Sequence, residues 1–321
     1  MSFRWKTSFR IFVAATISAV VAAALSSNRA ASGEDTAAPA AALFAAQPVV
    51  FERVATGYQF TEGPAADARG DIYFTDIRSS RILRFDVATN KASVFRKDTG
   101  KANGLHFDAQ RRLLACEGGR RRLVRIDKDQ LTVLAERLGT KRLNSPNDLT
   151  IDAHGGVWFT DPRYGKQDDR EIDVMAVYYL SAEGKLTQVI RDLPRPNGIL
   201  LAPSGKTLFV AANKQKLIMS YPVTAPGTLG TGRVFARLDG DQRGGPDGLT
   251  LDAKGNLYCA GQGHLFVWSS RGKRLHKLKV PESPTNCTFG GPKRDTLYVT
   301  ARTSLYRVPM QVKGARIPAS R

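Results

Sequence analysis

Six residues with a side-chain oxygen stand at the head of six similar stretches: Glu62, Asn103, Asn147, Asn197, Asp247 and Asn286, spaced 41, 44, 50, 50 and 39 residues apart. Carboxylate and amide oxygens, with no thiolate or imidazole among them, are the donors that hard cations take, and Ca²⁺ accepts about six to eight of them. Glu62 and Asp247 together bring a cation of charge 2+ close to neutrality. Such an ion polarises a carbonyl or phosphoryl oxygen and acidifies water, which is the chemistry of metal-assisted hydrolysis. Asn and Asp also open strands because they form turns; Glu62 lies outside that habit. Nucleophilic catalysis finds little footing. The chain has no Gly-x-Ser-x-Gly elbow, and His106, His154, His264 and His276 have no evident serine partner. His106 falls in an inner strand and reads as a satisfied core histidine.

The residues immediately after each of the six decide how they are brought together. EGPAADARGDIYFTD (62–76), NGLHFDAQRRLLACE (103–117), NDLTIDAHGGVWFTD (147–161), NGILLAPSGKTLFVA (197–211), DGLTLDAKGNLYCA (247–260) and NCTFGGPKRDTLYVTA (286–301) each read as strand, tight turn, strand. A period of about 40–50 residues filled with short strands is that of a β-propeller blade, a sheet that buries its faces only against neighbouring blades. RILRFDV (81–87), RLVRID (122–127), VYYLSAEG (177–184), LIMSYPV (217–223) and HLFVWSS (264–270) supply strands farther from the axis. The expectation is an all-β chain: a six-bladed β-propeller with a central metal-binding tunnel, over residues 49–312. Equivalent residues of the blades then share one height and radius, and the six oxygens converge. Asn147 points its amide oxygen at a metal on the axis, and Asp148 behind it stabilises the turn. Asp161, Arg163 and Tyr164, directly after a strand, have the hydroxyl-binding and planar chemistry that suits a polyol ring, or only shape their loop; Glu117 and Arg121 are weaker candidates.

Hydrophobic residues are 42% and charged residues 24% of the 321, which excludes general disorder. MSFRWKTSFR is basic, IFVAATISAVVAAAL is apolar, and Ala24-Leu25-Ser26 offers a cleavage site, so residues 1–26 read as a signal peptide rather than an anchor. That predicts export to the periplasm or the medium, with no stable membrane insertion after cleavage. Residues 27–48, rich in Ala, Ser and Pro, read as a flexible linker, and 313–321 as a basic tail. The net charge is +19, of which Arg4, Lys6 and Arg10 belong to the leader. The remaining basic residues are scattered and accompany no nucleic-acid motif. They predict a solvated basic surface with mild attraction for anionic surfaces or anionic small molecules, and no nucleic-acid partner. Of Cys116, Cys259 and Cys287, the last two are the nearest pair for a disulfide after export, with buried free thiols as the alternative.

TEGP (61–64), NSPND (144–148), RPNG (195–198) and GGPDG (244–248) resemble motifs of the SMP-30/gluconolactonase/luciferin-regenerating-enzyme family over most of residues 50–305. KANGL (101–105), ACEGGRRR (115–122), WFTDPRYG (158–165) and NCTFGG (286–291) draw the resemblance towards bacterial gluconolactonases. It implies a six-bladed propeller holding Ca²⁺, or Mg²⁺, Mn²⁺ or Zn²⁺. The implied metal ligands are Glu62, Asn147, Asn197 and Asp247, with Asp247 as the base that activates water. Asn103 and Asn286 match no ligand of that site and are expected to face substrate or water; Asp161, Arg163 and Tyr164 stay candidates for substrate on their loop position alone. Where one branch of the family has a sugar-binding Arg two residues before the ligand Asn, this chain has Ser145. The implied activity is hydrolysis of a sugar lactone, a small-molecule substrate. The alternatives are a phosphotriesterase-like hydrolase on the same metal, and a non-catalytic sugar- or partner-binding propeller with structural calcium.

Overall fold

The computed structural model describes Met1, residues 43–239 and residues 243–316. The chain divides into two compact units, Met1–Ala38 and Pro39–Arg321, and every element below lies in the second. The expected leader, the linker up to residue 42 and the end of the tail lie outside the described residues.

Six antiparallel sheets of four or five strands follow one another along the chain, with a two-stranded ribbon, Arg137–Leu138 and Lys141–Arg142, between the second and the third. Blade 1 is Thr61–Ala66, Ile72–Asp76, Arg81–Asp86 and Lys91–Lys97; blade 2 is Ala102–Phe107, Leu113–Glu117, Arg122–Asp127 and Gln130–Ala135. Blade 3 is Leu149–Ile151, Val157–Asp161, Ala176–Leu180 and Leu186–Ile190, and blade 4 is Pro196–Leu201, Thr207–Ala212, Leu217–Ala225 and Arg233–Arg237 with the short Thr228–Leu229. Blade 5 is Pro246–Leu251, Leu257–Gly261, His264–Trp268 and Arg274–Lys279. Blade 6 takes only its first three strands from its own part of the chain, Pro284–Gly290, Thr296–Ala301 and Ser304–Pro309. Its outermost strand is Glu52–Thr56, paired to Ser304–Pro309 and pinned by Arg307 on Glu52 at 2.7 Å. The described residues contain no α-helix, only one turn of 3₁₀ helix at Asn213–Gln215.

The six-bladed all-β expectation is met, and burial explains the sequence pattern. Second strands lie inside the blade stack and are buried along their length, as in IYFTD, LLACE, VWFTD and LYCAG. The core is divided among the six blade interfaces. Leu114, Cys116 and Leu123 of blade 2, for example, meet Leu149, Phe159 and Tyr178 of blade 3. All three cysteines are buried free thiols, so the Cys259–Cys287 pairing is not formed.

Two boundaries are corrected. The flexible linker was expected to reach residue 48, but Leu43 and Phe44 are buried in the core between blades 5 and 6. Phe44 forms a β-bridge with Met310 and stands edge-on to His276, and the Ala45 N–H donates to the Pro309 carbonyl. At the other end, Gly314 bridges Asp252 and Ala315 donates to the Leu251 carbonyl, so the tail is seated at least to Ala315. Phe44→Ala is therefore expected to destabilise the fold by about 3–5 kcal/mol. The check is a lowered urea midpoint at unchanged slope.

Candidate metal centre and active-site cavity

The inner strands present their first residues to the centre because the ladder breaks there. Pairing with the second strand shifts register between Glu62 and Ala65, Ala102 and Leu105, Pro196 and Ile199, Pro246 and Leu249, and Pro284 and Asn286. A bulge of this kind re-aims a side chain that regular pleating would turn aside. The residue after the oxygen-bearing one is glycine in four blades, and the reason is contact. A Cβ on Gly63, Gly104, Gly198 or Gly248 would come within 2.0, 2.5, 2.1 or 1.8 Å of the next blade's Asn103, Asp148, Asp247 or Asn286. Threonines stitch neighbours together: Thr75 Oγ1 donates to Asn103 O, Thr160 Oγ1 to Asn197 O and Thr285 Oγ1 to Thr61 O.

Glu62, Asn103, Asn147, Asn197 and Asp247 all line one cavity of about 600 Å³. Its walls come from the loops after the second strands of blades 1–4: Ile77 and Arg78, Gly118 and Gly119, Arg163 and Tyr164, and Asn213. Glu62, Asn147 and Asn197 are 5, 8 and 6% exposed, at its depth. A second cavity, of about 240 Å³, lies farther along the same inner strands and is lined by Asp148, Asn286, His106, Thr250 and Arg294 among others.

Electrostatics single out the acids. Burial pushes the Glu62 carboxyl up to about 8, and the Asp148 charge adds to it. Burial, then the charges of Glu62 and Asp148, hold Asp247 well above the usual carboxylate range. No Lys or Arg among the described residues pairs with either. The Asn197 amide is within hydrogen-bond reach of both the Asp247 carboxylate and the Tyr164 hydroxyl. A buried carboxylate, a half-buried one and two buried amides on one cavity, with no cationic side chain paired to either acid, make a donor set that fits a hard divalent cation. Among the described residues no three of His, Cys, Asp and Glu form a metal cage; half of this donor set is amide oxygen.

The remaining candidates separate. Arg163 and Tyr164 line the large cavity with Asn103, while Arg163 is tied to the Asn144 carbonyl at 3.0 Å and to Asp169. Asp161 does not reach the cavity. It is fully buried, and its two oxygens accept the N–H groups of Asn144 and Ser145 at 2.7 and 2.6 Å. Burial pushes it up to about 7 against these donors, Arg121 and Arg163. Its work is to hold the loop that carries Asn147. Asn286 is not at the mouth either: its amide lies between Asp148, at 3.4 Å, and Glu62. Asp148, expected to serve its turn, accepts the Leu149 N–H but also faces Gly104 and Asn286 across the blade junction. Glu117 and Arg121 are buried and structural, Glu117 binding Arg122 at 2.6 Å and Arg121 donating to the Leu143 carbonyl. His106 is only half satisfied: Nδ1 meets the Phe107 carbonyl at 2.9 Å, and Nε2 has no partner.

The repeat carried signals for what was missed. Asp76, Glu117 and Asp161 all end a second strand, and Asp76 accepts the N–H groups of Gln59 and Phe60 as Asp161 accepts those of its own loop. Arg78 and Asn213 occupy the loop that Arg163 and Tyr164 occupy in blade 3. Asn213 Nδ2 donates to the Pro246 carbonyl at 3.1 Å, anchoring the strand of Asp247. Asp161→Asn places an NH₂ against one of two N–H donors. We expect a loss of about 1–3 kcal/mol in stability together with weaker cation binding, measured by urea unfolding and calorimetry.

The sequence profile of the SMP-30/Gluconolactonase/LRE-like region matches residues 60–303. A gluconolactonase of Zymomonas mobilis is 29% identical over 293 residues, covering 82% of each chain. The diisopropyl-fluorophosphatase of Loligo vulgaris is 25% identical over 285 residues, covering 78% of this chain and 88% of that one. A solved gluconolactonase from Xanthomonas campestris superposes with a TM-score of 0.73 at 32% identity, over 80% of this chain and 88% of that one.

Proposed function

Since the chain belongs to the SMP-30/gluconolactonase/LRE-like family, we propose that it is a divalent-cation-dependent lactonase that hydrolyses a sugar lactone. The observation that carries this reading is the meeting of Glu62, Asn147, Asn197 and Asp247 on one cavity. The similar gluconolactonases support the substrate class. These four residues would hold the ion, and an all-oxygen set suits Ca²⁺, Mg²⁺ or Mn²⁺ better than Zn²⁺. A divalent cation there supplies Lewis-acid polarisation of the lactone carbonyl and the positive charge that keeps Glu62 and Asp247 ionised.

The residues of the chain do the rest. Asp247 takes a proton from the attacking water as the water oxygen bonds to the carbonyl carbon. Asn197 orients the Asp247 carboxylate and the Tyr164 hydroxyl together. When the bond from the carbonyl carbon to the ring oxygen breaks, the proton passes from Asp247 to that oxygen. The product is an open-chain hydroxy acid. Tyr164, Asn103 and Arg163 offer hydroxyl, amide and guanidinium groups to the sugar. The leader supports action in the periplasm or outside the cell.

The test is pH-stat hydrolysis of glucono-1,5-lactone with Ca²⁺ and with chelator, corrected for spontaneous opening. Cation-dependent turnover is expected; background rates throughout overturn the reading. The Loligo relative supports a second reading on the same site, which a higher rate on diisopropyl fluorophosphate than on any lactone establishes.

A further inference from the structure

We infer that the substrate is an anionic lactone, with a carboxylate or phosphate remote from the carbonyl that is attacked, and that Arg78, Lys101 and Arg195 bind that group. The inference rests on the lactonase reading and narrows it.

Four arginines at this end of the blades are matched with acids: Arg81 with Asp76 at 3.0 Å, Arg120 with Asp98 at 2.8 Å, Arg122 with Glu117 at 2.6 Å, and Arg163 with Asp169. Arg78, Lys101 and Arg195 have no carboxylate partner among the described residues. They are nevertheless held in place. The Arg78 guanidinium lies 5.7 Å over the Phe60 ring and that of Arg195 lies 5.8 Å over the Tyr164 ring, and both rings line the large cavity. The Lys101 stem lies against Gly119, where a Cβ would come within 3.1 Å of it.

The three come from different blades: Arg78 and Lys101 line the large cavity directly, and Arg195 stands beside it, over the Tyr164 ring that lines it. Lys101 and Arg195 stand two residues before Asn103 and Asn197, in the same repeat position, with φ of 55° and 52°. That left-handed backbone is uncommon for a long side chain. Arg78 comes from the blade 1 loop. An aromatic face orients a guanidinium without neutralising it, leaving its full charge for an incoming anion.

Depth separates this from binding the product. The carboxylate made by ring opening forms where the carbonyl was, beside the buried Glu62, Asn147 and Asn197. Arg78, Lys101 and Arg195 are exposed, at the rim. They reach the far end of a sugar whose lactone carbonyl is at the bottom, the end where an aldaric lactone has its second carboxylate and a phosphosugar lactone its phosphate.

Matched substrates test this. D-glucaro-1,4-lactone and D-glucono-1,4-lactone share a ring and differ in a terminal carboxylate; 6-phosphoglucono-1,5-lactone and glucono-1,5-lactone differ in a phosphate. At low salt, kcat/KM for the anionic member of one pair is expected to exceed that of the neutral member roughly tenfold. Which pair shows it identifies the group. The ratio should shrink as NaCl rises and fall towards one in the Arg78→Ala/Lys101→Ala/Arg195→Ala variant. Neutral lactones turned over as well as anionic ones by the wild type, or a preference that survives in the variant, overturn the inference and leave the lactonase reading standing. Turnover of none of the four sinks the lactonase reading instead. Calorimetric titration with D-glucarate then decides: binding lost in the variant supports the anion site, and absent or unaltered binding overturns it.

Discussion

Asp247→Asn is expected to lower kcat/KM for the lactone by about 10²–10⁴-fold, the loss caused by removal of a positioned general base, while the circular dichroism of the fold is unchanged. The amide keeps the shape of the carboxylate and one oxygen towards the cation, but accepts no proton from water. Because burial and the charges of Glu62 and Asp148 oppose ionisation of Asp247, a neutral side chain is easier to accommodate there than the native one. The variant should therefore be at least as resistant to urea as the wild type in chelator, and should gain less from added Ca²⁺. Catalytic loss with undiminished stability separates a functional acid from a structural one. A variant that retains turnover removes Asp247 from the mechanism.

Cation binding is expected to strengthen by about tenfold per pH unit for each proton displaced, up to about pH 8. Without a cation, Glu62 is pushed up to about 8 by burial and Asp247 well above the carboxylate range. The native state then holds protons that the unfolded chain has already released. For a raised carboxyl pKa the native state binds more protons between the unfolded and folded values, so this contribution to stability is full at low pH. It is lost as pH climbs from about 4 to about 8. A bound cation keeps both acids ionised and reverses the sign, so Ca²⁺ should stabilise the fold most at the alkaline end of that window. Calorimetry at pH 6, 7 and 8, in buffers of different ionisation enthalpy, reads affinity and proton release together. An affinity flat across that range, with no proton released, is the result that overturns the assignment of both acids as ligands.

The blade repeat and the oxygen donors were legible for one reason: both recur. Glu62, Asn147, Asn197 and Asp247 each open a strand pair, and equivalent positions in a closed repeat meet at one place. Third strands were legible because they carry buried apolar residues, as Leu123, Val124 and Ile126 in RLVRID. The outermost strands were not. Lys91–Lys97 is exposed at six of its seven positions, so KASVFRK has no buried face to mark it. Asp161 stays open between substrate and loop in the sequence because an acid ending a strand has the same signature whether it meets substrate or two backbone N–H groups. Its counterpart Asp76 gives the role away only once the blades are superposed. Asn286 shares the ring position but sits between two carboxylates, and Asp148 stands where four other blades have glycine; both depend on which neighbour each blade faces. The burial of Phe44 was hidden in an Ala-rich stretch, since a single aromatic residue makes no period.

The strand that closes blade 6 has a consequence for when the cavity first exists. Glu52 and Arg307 pair across 255 residues of chain, so the first strand made waits for the last. Five blades can pair locally as they are synthesised, but the circle stays open until Ser304–Pro309 finds Glu52–Thr56. Contacts of such sequence separation form slowly. Until then Glu62 and Asp247 belong to separate stretches of an unclosed arc, and the donor set proposed to hold a cation is not assembled. The site is thus a late product of folding, and a chain shortened at its beginning or its end would lose it while most of its strands still formed.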